Sequence, residues 1–291
     1  MKHIFSGVKS LIKRLVRLGV TGILIVGCIG LDARYIEPRL LITKAESITT
    51  TKLLKDTKLR VVLFNDVHLG KYYSLADLKK VVHQMNDLEP DLLIFAGDLI
   101  EDNRTYTEEE GATALLAELE ARYGKYAVIG NHDHGGNGTK RYRRMMNQSG
   151  FTLLEDGHQT IELKSGDKIT VIGVDDIVLG KPDFRRAFEG VSPHHFNLFI
   201  SHAPDVISHI LDAPVDLQVS GHSHGGQVRL PFIGAPFTVP YGSEYIKGLY
   251  TPKEKTDMQL YVNVGLGTSQ VPLRFFNPPE ITVFDIEGEA I

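Results

Sequence analysis

Cysteine is almost missing: Cys28 is the only one in 291 residues. A lone cysteine excludes an intrachain disulfide and any cysteine-based zinc cluster, so redox chemistry and thiolate ligation both drop out. Excess positive charge is missing too. Lysine and arginine total 32 against 36 aspartates and glutamates, a formal charge of −4, which argues against a polyanion-binding face and against nucleic acid as a partner. There is no internal repeat and no low-complexity block, and no protein partner can be inferred. What is present, 42% hydrophobic and 23% charged residues, is the composition of a globular protein able to bury a core. The length allows one or two domains. The informative number is 12 histidines.

The first segment is basic, then apolar. Lys2, Lys9, Lys13, Arg14 and Arg17 precede a run from Leu18 to Leu31 that carries no charge. At ~1.5 Å per residue that run spans roughly 21 Å, short of a ~30 Å hydrocarbon core unless Leu15 and Val16 join it and Arg17 snorkels. No small-x-small cleavage site follows, because Asp32 and Arg34 flank Ala33, so the segment reads as an uncleaved signal anchor. Ile25-Val26-Gly27-Cys28 also resembles a lipobox, which leaves a lipoprotein attached through Cys28, or a secreted form, as the alternative. Basic residues before the run outnumber Arg34, Arg39 and Lys44 after it, which places the N-terminus in the cytoplasm and the rest outside. The division expected is residues 1–36 as anchor, 37–58 as a polar, threonine-rich linker, and 59–291 as the globular domain.

From Leu59 onward, strand-like and helix-like patterns alternate. Leu59 to Phe64, Asp91 to Ala96, Tyr126 to Ile129, Ile169 to Val174, Asn197 to Ile200 and Leu217 to Val219 are short apolar runs. Leu75, Leu78, Val81, Val82, Met85 and Leu88 share one helical face, as do Ala112, Leu115, Leu116 and Leu119, and a further helix is expected from about Asp205 to Leu211. Such alternation predicts an α/β fold with buried, largely parallel sheet. After Gly221 the helical patterns stop, and strand-like pieces near Gln227, Tyr245, Met258 and Ile281 suggest a second, more antiparallel sheet.

Five strand-like runs end in short polar signatures: Asn65-Asp66-Val67-His68, Gly97-Asp98, Gly130-Asn131-His132-Asp133, Ser201-His202 and Gly221-His222-Ser223-His224. Loops beyond the carboxyl ends of parallel strands gather in one place, so all five can converge. Together they supply oxygen and nitrogen donors without a thiolate, a mix that suits Mn, Fe, Zn or Mg. Asp-x-His and His-x-His spacing lets an extended backbone aim both side chains the same way. The glycines before Asp98, Asn131 and His222 permit tight turns and close backbone approach.

In this order and spacing the signatures resemble the calcineurin-like metallophosphoesterases. The basic-apolar N-terminus leading to Tyr35-Ile36-Glu37-Pro38, and the tail Gly265-Leu266-Gly267-Thr268 with Pro272-Leu273-Arg274-Phe275, are similar to a membrane-associated bacterial branch of that family. The resemblance implies a four-layer α-β-β-α sandwich of two mixed β-sheets flanked by helices, preceded by an N-terminal membrane helix. It implies two divalent metal ions, Asp66, His68 and His224 holding one, Asn131, His202 and His222 the other, and Asp98 bridging them. A water oriented between the ions would attack phosphorus in line, with His132 protonating the leaving oxygen, itself oriented by Asp133 or Asp98. The expected activity is hydrolysis of a phosphodiester or pyrophosphate bond in a phosphorylated small molecule or lipid of the cell envelope. A nuclease or nucleotide phosphodiesterase is the alternative, and a non-catalytic scaffold on the same fold the second, against which the intact ligand set and His132 argue.

Three arginines are candidate substrate ligands. Arg141 lies in the basic run Lys140, Arg141, Arg143, Arg144, which either meets a phosphate head group or is a solvated helix face. Arg104 follows Asp98 by six positions, not the four of the serine/threonine protein phosphatase pattern Gly-Asp-x-x-Asp-Arg, so protein phosphatase activity is not expected. Arg274 is either a substrate clamp or a sheet-edge residue. His134 reads as a neighbour of the site, and His83, His158, His194, His195 and His209 as solvated or capping residues.

Overall fold

A computed structural model describes residues 2–290, with side chains from residue 13 onward. The side chains of Lys2 and Lys9 in the basic run therefore lie outside the described residues. In chain order the elements are α1 (Lys2–Leu31), β1 (Ile42–Thr50), β2 (Lys58–Phe64), α2 (Leu75–Asp87), β3 (Leu92–Phe95), α3 (Glu109–Ala117), β4 (Lys125–Ala127), α4 (Asn131–His134), α5 (Thr139–Gln148) and β5 (Phe151–Leu153). They continue with β6 (Gly157–Glu162), β7 (Lys168–Gly173), α6 (Phe184–Ala187), β8 (Phe196–Ile200), β9 (Leu217–Ser220), β10 (Gly248–Tyr250), β11 (Gln259–Val262) and β12 (Glu280–Gly288).

These strands form two six-stranded mixed sheets, ordered β1-β12-β2-β3-β4-β5 and β10-β11-β9-β8-β7-β6. Most inner strands pair in parallel, and among the described residues the antiparallel strand pairs are β12–β2, β10–β11 and β6–β7. Parallel strands need both faces covered, which is why β2, β3 and β8 read as unbroken apolar runs. Between the sheets, Val61, Leu63, Ile94 and Val128 meet Val171, Leu198, Ile200 and Val219. On the outer face of the first sheet, Val62, Phe64 and Phe95 pack under Leu78, Val82 and Met85 of α2 and Tyr142 and Met145 of α5. A serine–aspartate capping box, Ser74 with Asp77, starts α2 and sets where it crosses the sheet. The second sheet has a thinner cover: Ile172, Phe199 and Val262 pack against Ala187, Val206, Ile207 and Ile210. The four layers implied by the family resemblance are therefore present.

Three expectations are corrected. Residues 37–58 are not a tether, because Ile42–Thr50 is a strand that pairs in parallel with β12 along its whole length. Strands after Gly221 do not form a sheet of their own: β10 and β11 complete the second sheet, while β12 crosses back and inserts between β1 and β2. The helix expected from Asp205 to Leu211 is only a single 3₁₀ turn, Ile207–His209. Proline at 204 and Asp205, whose carboxylate accepts the backbone N–H groups of Ser243, Glu244 and Tyr245, commit that segment to a loop.

Helix α1 runs on through a π-helical turn, Asp32–Ile36, and a 3₁₀ turn, Glu37–Arg39. From Lys13 to Arg39 it is long and apolar enough to cross a membrane, and its apolar stretch is not buried in the protein. Its end is pinned to the domain: Arg274 N–H donates to Ala33 O at 2.9 Å, and the buried Glu37 carboxylate accepts the N–H groups of Phe276 and Asn277.

Because Ile48 of β1 is buried between the sheets, Ile48→Ala is expected to lower stability by ~2–5 kcal/mol. Urea unfolding checks this, and a loss within ~0.5 kcal/mol, the usual range for surface changes, would return the segment to the status of a tether.

Candidate metal centre

The signature residues all follow the carboxyl ends of strands. Asp66 and His68 come after β2, Asp98 after β3, Asn131 and His132 after β4, His202 after β8, and His222 and His224 after β9. The loops are interlocked by backbone bonds: Asp66 N–H to Gly97 O at 2.9 Å, Val67 N–H to Asp98 O at 2.8 Å, and Gly267 N–H to Asp66 O at 2.7 Å. Gly97 is required here, since a Cβ on it would lie 2.7 Å from Gly130 N. Asp66, His68, Asp98, His222 and His224 have φ between 49° and 66°, a region that side-chain-bearing residues enter at a cost. Left-handed residues concentrated in one site mark a geometry imposed by its surroundings.

Three interlocking groups of donors result: Asp66, His68 and His224; Asp66, Asp98 and His202; and His68, Asp98 and His132, the donor atoms of each lying within 4.8 Å of one another. Asn131 Oδ1 lies 3.1 Å from His202 Nε2, and the His222 ring packs edge-on against that of His202 at 5.0 Å. All seven proposed ligands are thus brought to one place.

Their hydrogen bonds show which atom of each faces inward. His202 Nδ1 is 2.7 Å from Ala96 O, and His222 Nε2 is 2.9 Å from Pro240 O. A carbonyl can only accept, so each ring donates there and presents its other nitrogen as a lone pair. His68 Nδ1 sits 2.6 Å from Glu101 Oε2, which leaves Nε2 as the lone pair, 3.0 Å from His224 Nε2 and 3.7 Å from Asp66 Oδ1. His202 Nε2 likewise faces Asp98 Oδ2 at 3.3 Å. Asp66 Oδ1 is buried and has no hydrogen-bond partner among the described residues. Acceptors aimed at acceptors in a buried volume repel unless a cation lies among them, so this donor set fits divalent metal. Outer hydrogen bonds from proposed ligand rings to carbonyls, and the close pairing of His68 with the Glu101 carboxylate, are of the kind that orient metal-bound histidines.

The protein's own charges point the same way. Burial opposes charge on His68, yet Asp66 and Glu101 push its ring up to about 10, and His202 is likewise raised well above its ordinary value, against burial, by Asp98. Burial pushes His224 down to about 3. Burial would raise Asp66 and Asp98, but the surrounding histidines hold both carboxyls below the usual range. The carboxylates demand positive charge, and protons and metal compete for the same lone pairs.

Sequence reasoning missed Glu101. It stands three residues after Asp98, at the position of the second acid in the Gly-Asp-x-x-Asp-Arg pattern, and that was its only signal. Its carboxylate takes His68 Nδ1 and the backbone N–H of Gln270 at 3.0 Å, and its carbonyl lies 2.8 Å from His132 Nδ1. Burial works against its charge, but His68 and the Gln270 N–H hold the carboxyl down to about 2.

Other expectations change. Asp133 does not orient His132, because its buried carboxylate accepts the backbone N–H groups of Asp98, Leu99 and Gly130 at 2.8–2.9 Å. Burial and nearby Asp98 raise it to about 7. Asp98 meets the His132 backbone N–H at 2.8 Å, and it is the Glu101 carbonyl that holds the ring. Arg274 is no substrate clamp: it is wholly buried and donates to the carbonyls of Val264, Gly265, Gly267 and Asn277. Arg141 donates to Asn103 O and pairs with Glu109, while Arg143 and Arg144 pair with Glu155 and Glu109, so these three arginines brace α5. Arg104 is exposed and paired with Asp102, on the rim of a cleft that reaches Asn131 and His132. His134 is held by Asp175 at 2.6 Å, and His209 stacks on Phe184.

Acceptors converging beyond two parallel sheet cores define a dinuclear metallohydrolase. The chain belongs to the calcineurin-like phosphoesterase family, whose model matches residues 59–226, and it is a metallophosphoesterase. It is 41% identical to the Bacillus subtilis (strain 168) metallophosphoesterase YkuE over 88% of this chain and 89% of that one. It is 30% identical to the UDP-2,3-diacylglucosamine pyrophosphatase LpxG of Chlamydia muridarum over 86% and 91%. A Danio rerio transmembrane protein with a metallophosphoesterase domain is 28% identical over 77% of this chain and 52% of its own length.

Loss of an outer partner of a metal-ligating histidine typically costs ~10–100-fold in metal affinity, and Glu101→Gln is expected to fall in that range while the fold is kept. Metal titration of the refilled protein measures it. Unchanged affinity would make Glu101 a bystander.

Proposed function

We propose that this metallophosphoesterase is membrane-anchored and cleaves a phosphodiester or pyrophosphate bond in a lipid-linked substrate of the cell envelope. The observation that carries this reading is a groove of about 800 Å³. Asp98, Asn131, His132 and His222 line one part of it, and Phe237, Val239, Pro240, Val271 and Leu273 another. A phosphate at the polar part leaves an attached hydrocarbon against the apolar wall. Similarity to an enzyme named for a diacylated nucleotide-sugar pyrophosphate supports the same substrate chemistry.

In this reading Asp66, His68 and His224 would hold one ion, Asn131, His202 and His222 the other, and Asp98 would serve both, with Mn, Fe, Zn and Mg all compatible with the donors. Two such ions supply the positive charge that lowers the pKa of an attacking water and neutralises phosphoryl oxygens. The protein's share is to leave that charge unspent: Asp66 and Asp98 are the only anions among the ligands, so the site stays positive toward phosphate. His132 handles the proton. Its Nδ1 donates to the Glu101 carbonyl, which turns Nε2 toward the groove, where a protonated ring donates to the departing oxygen. Residues 1–36 act as the anchor, and the excess of basic residues before the apolar run orients the catalytic domain outside the cytoplasm.

General acid catalysis is worth ~10²–10⁴-fold where the leaving group needs a proton. His132→Ala is therefore expected to lose at least ~10²-fold in kcat/KM on an unactivated long-chain alkyl phosphodiester, and little on a nitrophenyl diester with the same chain. Equal losses would make His132 a phosphate-positioning group, and a wild-type protein inactive on both substrates would overturn the reading.

A further inference from the structure

The groove wall belongs to a loop whose outer part, from Arg229 to Gly234, the proposed chemistry does not use. Residues 225–243 contain no acid and a single charge, Arg229, and include Leu230, Phe232, Ile233 and Phe237. Backbone bonds from Gly234 N–H to Leu230 O and from Leu230 N–H to Gly234 O close a tight turn with Phe232 at its tip. Phe232 is as exposed as in a free chain, at 109%, and its φ of 67° is one that a bulky side chain enters at a cost. Ile233 next to it and Phe237 further along the loop are exposed too, as are Val271 and Phe276 on the neighbouring segment. Exposed apolar residues held together on a rigid turn mark a contact surface, whereas scattered ones do not.

The neighbouring chain identifies the partner. Residues 274–276 lie between this loop and the end of the anchor. On one side Phe275 N–H donates to Gln227 O and Arg229 N–H to Phe275 O. On the other, Arg274 N–H donates to Ala33 O and Phe276 N–H to Glu37. With bonded segments ~4.8 Å apart, the root of the apolar loop stands only roughly 10 Å from where the anchor ends. Around that exit, the Arg34 guanidinium covers the rings of Tyr35 and Tyr72 at 4.7 and 5.2 Å, and Arg39 and Lys71 are exposed. Tyrosines and cations of this kind populate the membrane interface, and cations favour anionic head groups.

Resting on the reading of α1 as a membrane anchor, we propose that the catalytic face docks on the lipid surface. Phe232 and Ile233 insert among the acyl chains beside the anchor, and the groove opens onto the bilayer from which its amphiphilic phosphate substrate enters. Apolar loops that lie in the interface bury their side chains without crossing, and a rigidly tied anchor holds the insertion in place.

The chain has no tryptophan, so a substituted one reports alone. Full-length Phe232→Trp protein is reconstituted into phosphatidylglycerol-containing vesicles whose lipids carry bromine near the head-group end of the acyl chains. Insertion ~5–10 Å deep predicts a blue-shifted emission and at least about twofold quenching. Leu54→Trp, exposed before the start of β2 and thus at the end of the strands away from the site, is expected to stay unquenched. A Phe232→Ser, Ile233→Ser double variant is expected to hydrolyse a water-soluble nitrophenyl diester normally while losing about tenfold on a vesicle-embedded phosphodiester, as an interfacial contact requires. Unquenched, solvent-like emission from the Phe232→Trp variant, in protein that stays with the vesicles, overturns the docking. A blue shift without quenching overturns it in favour of a second copy covering the loop, and equal losses on both substrates overturn it in favour of a structural role. Protein that washes off the vesicles overturns the anchor reading itself.

Discussion

Lone pairs of Asp66, Asp98, Asn131 and four histidines are aimed at one another inside a volume from which water is largely excluded, and the rest of the structure is organised around that repulsion. Three of the four rings are turned inward by contacts they make outward: His68 with the Glu101 carboxylate, His202 with Ala96 O and His222 with Pro240 O. Two of those partners are themselves fixed, Ala96 at the end of β3 and Glu101 by the Gln270 N–H. The left-handed backbone at five of the ligands is the local cost of aiming them. A buried, unsatisfied arrangement of this kind is stable only when positive charge offsets it, so metal binding and folding of these loops are linked.

Two other buried charges carry that constraint outward. Arg274 collects carbonyls from residues 264–267, the segment whose Gly267 N–H bonds Asp66 O, so a guanidinium beneath the site holds a loop that holds a ligand. Burial lowers its pKa to about 10, which still leaves it charged at neutral pH. Glu37 grips the backbone amides of Phe276 and Asn277, and through them the end of α1, the tail and the groove wall become one framework. In the proposed reading, membrane attachment and the catalytic face would therefore share residues 33–37 and 274–277.

Much of this was legible in the sequence because it is local. A parallel strand buried on both faces writes itself as Val61-Val62-Leu63-Phe64, and the polar signature at its end follows within four residues. The strand β1 was not legible: Ile42–Thr50 lies at a sheet edge, mostly exposed, so its polar residues show no period even though Ile48 is buried. Roles set by distant partners were not legible either. Asp133 and Glu101 are both acids near the site, and only the fold decides that one serves backbone amides and the other a ligand histidine. Arg274 reads as a candidate phosphate ligand until the structure shows its donors spent on carbonyls, and Arg141 until it shows Glu109 beside it.

The proposed chemistry needs two ions that would share Asp98. The measurement that bears on it most directly is anomalous diffraction from crystals of the full chain, collected at the absorption edge of the bound metal. Two peaks per chain, ~3.5–4 Å apart, are expected. One should be bounded by Asp66, His68 and His224, the other by Asn131, His202 and His222, and both should lie within bonding distance of the Asp98 carboxylate. A single peak, or two peaks of which only one touches Asp98, would contradict it.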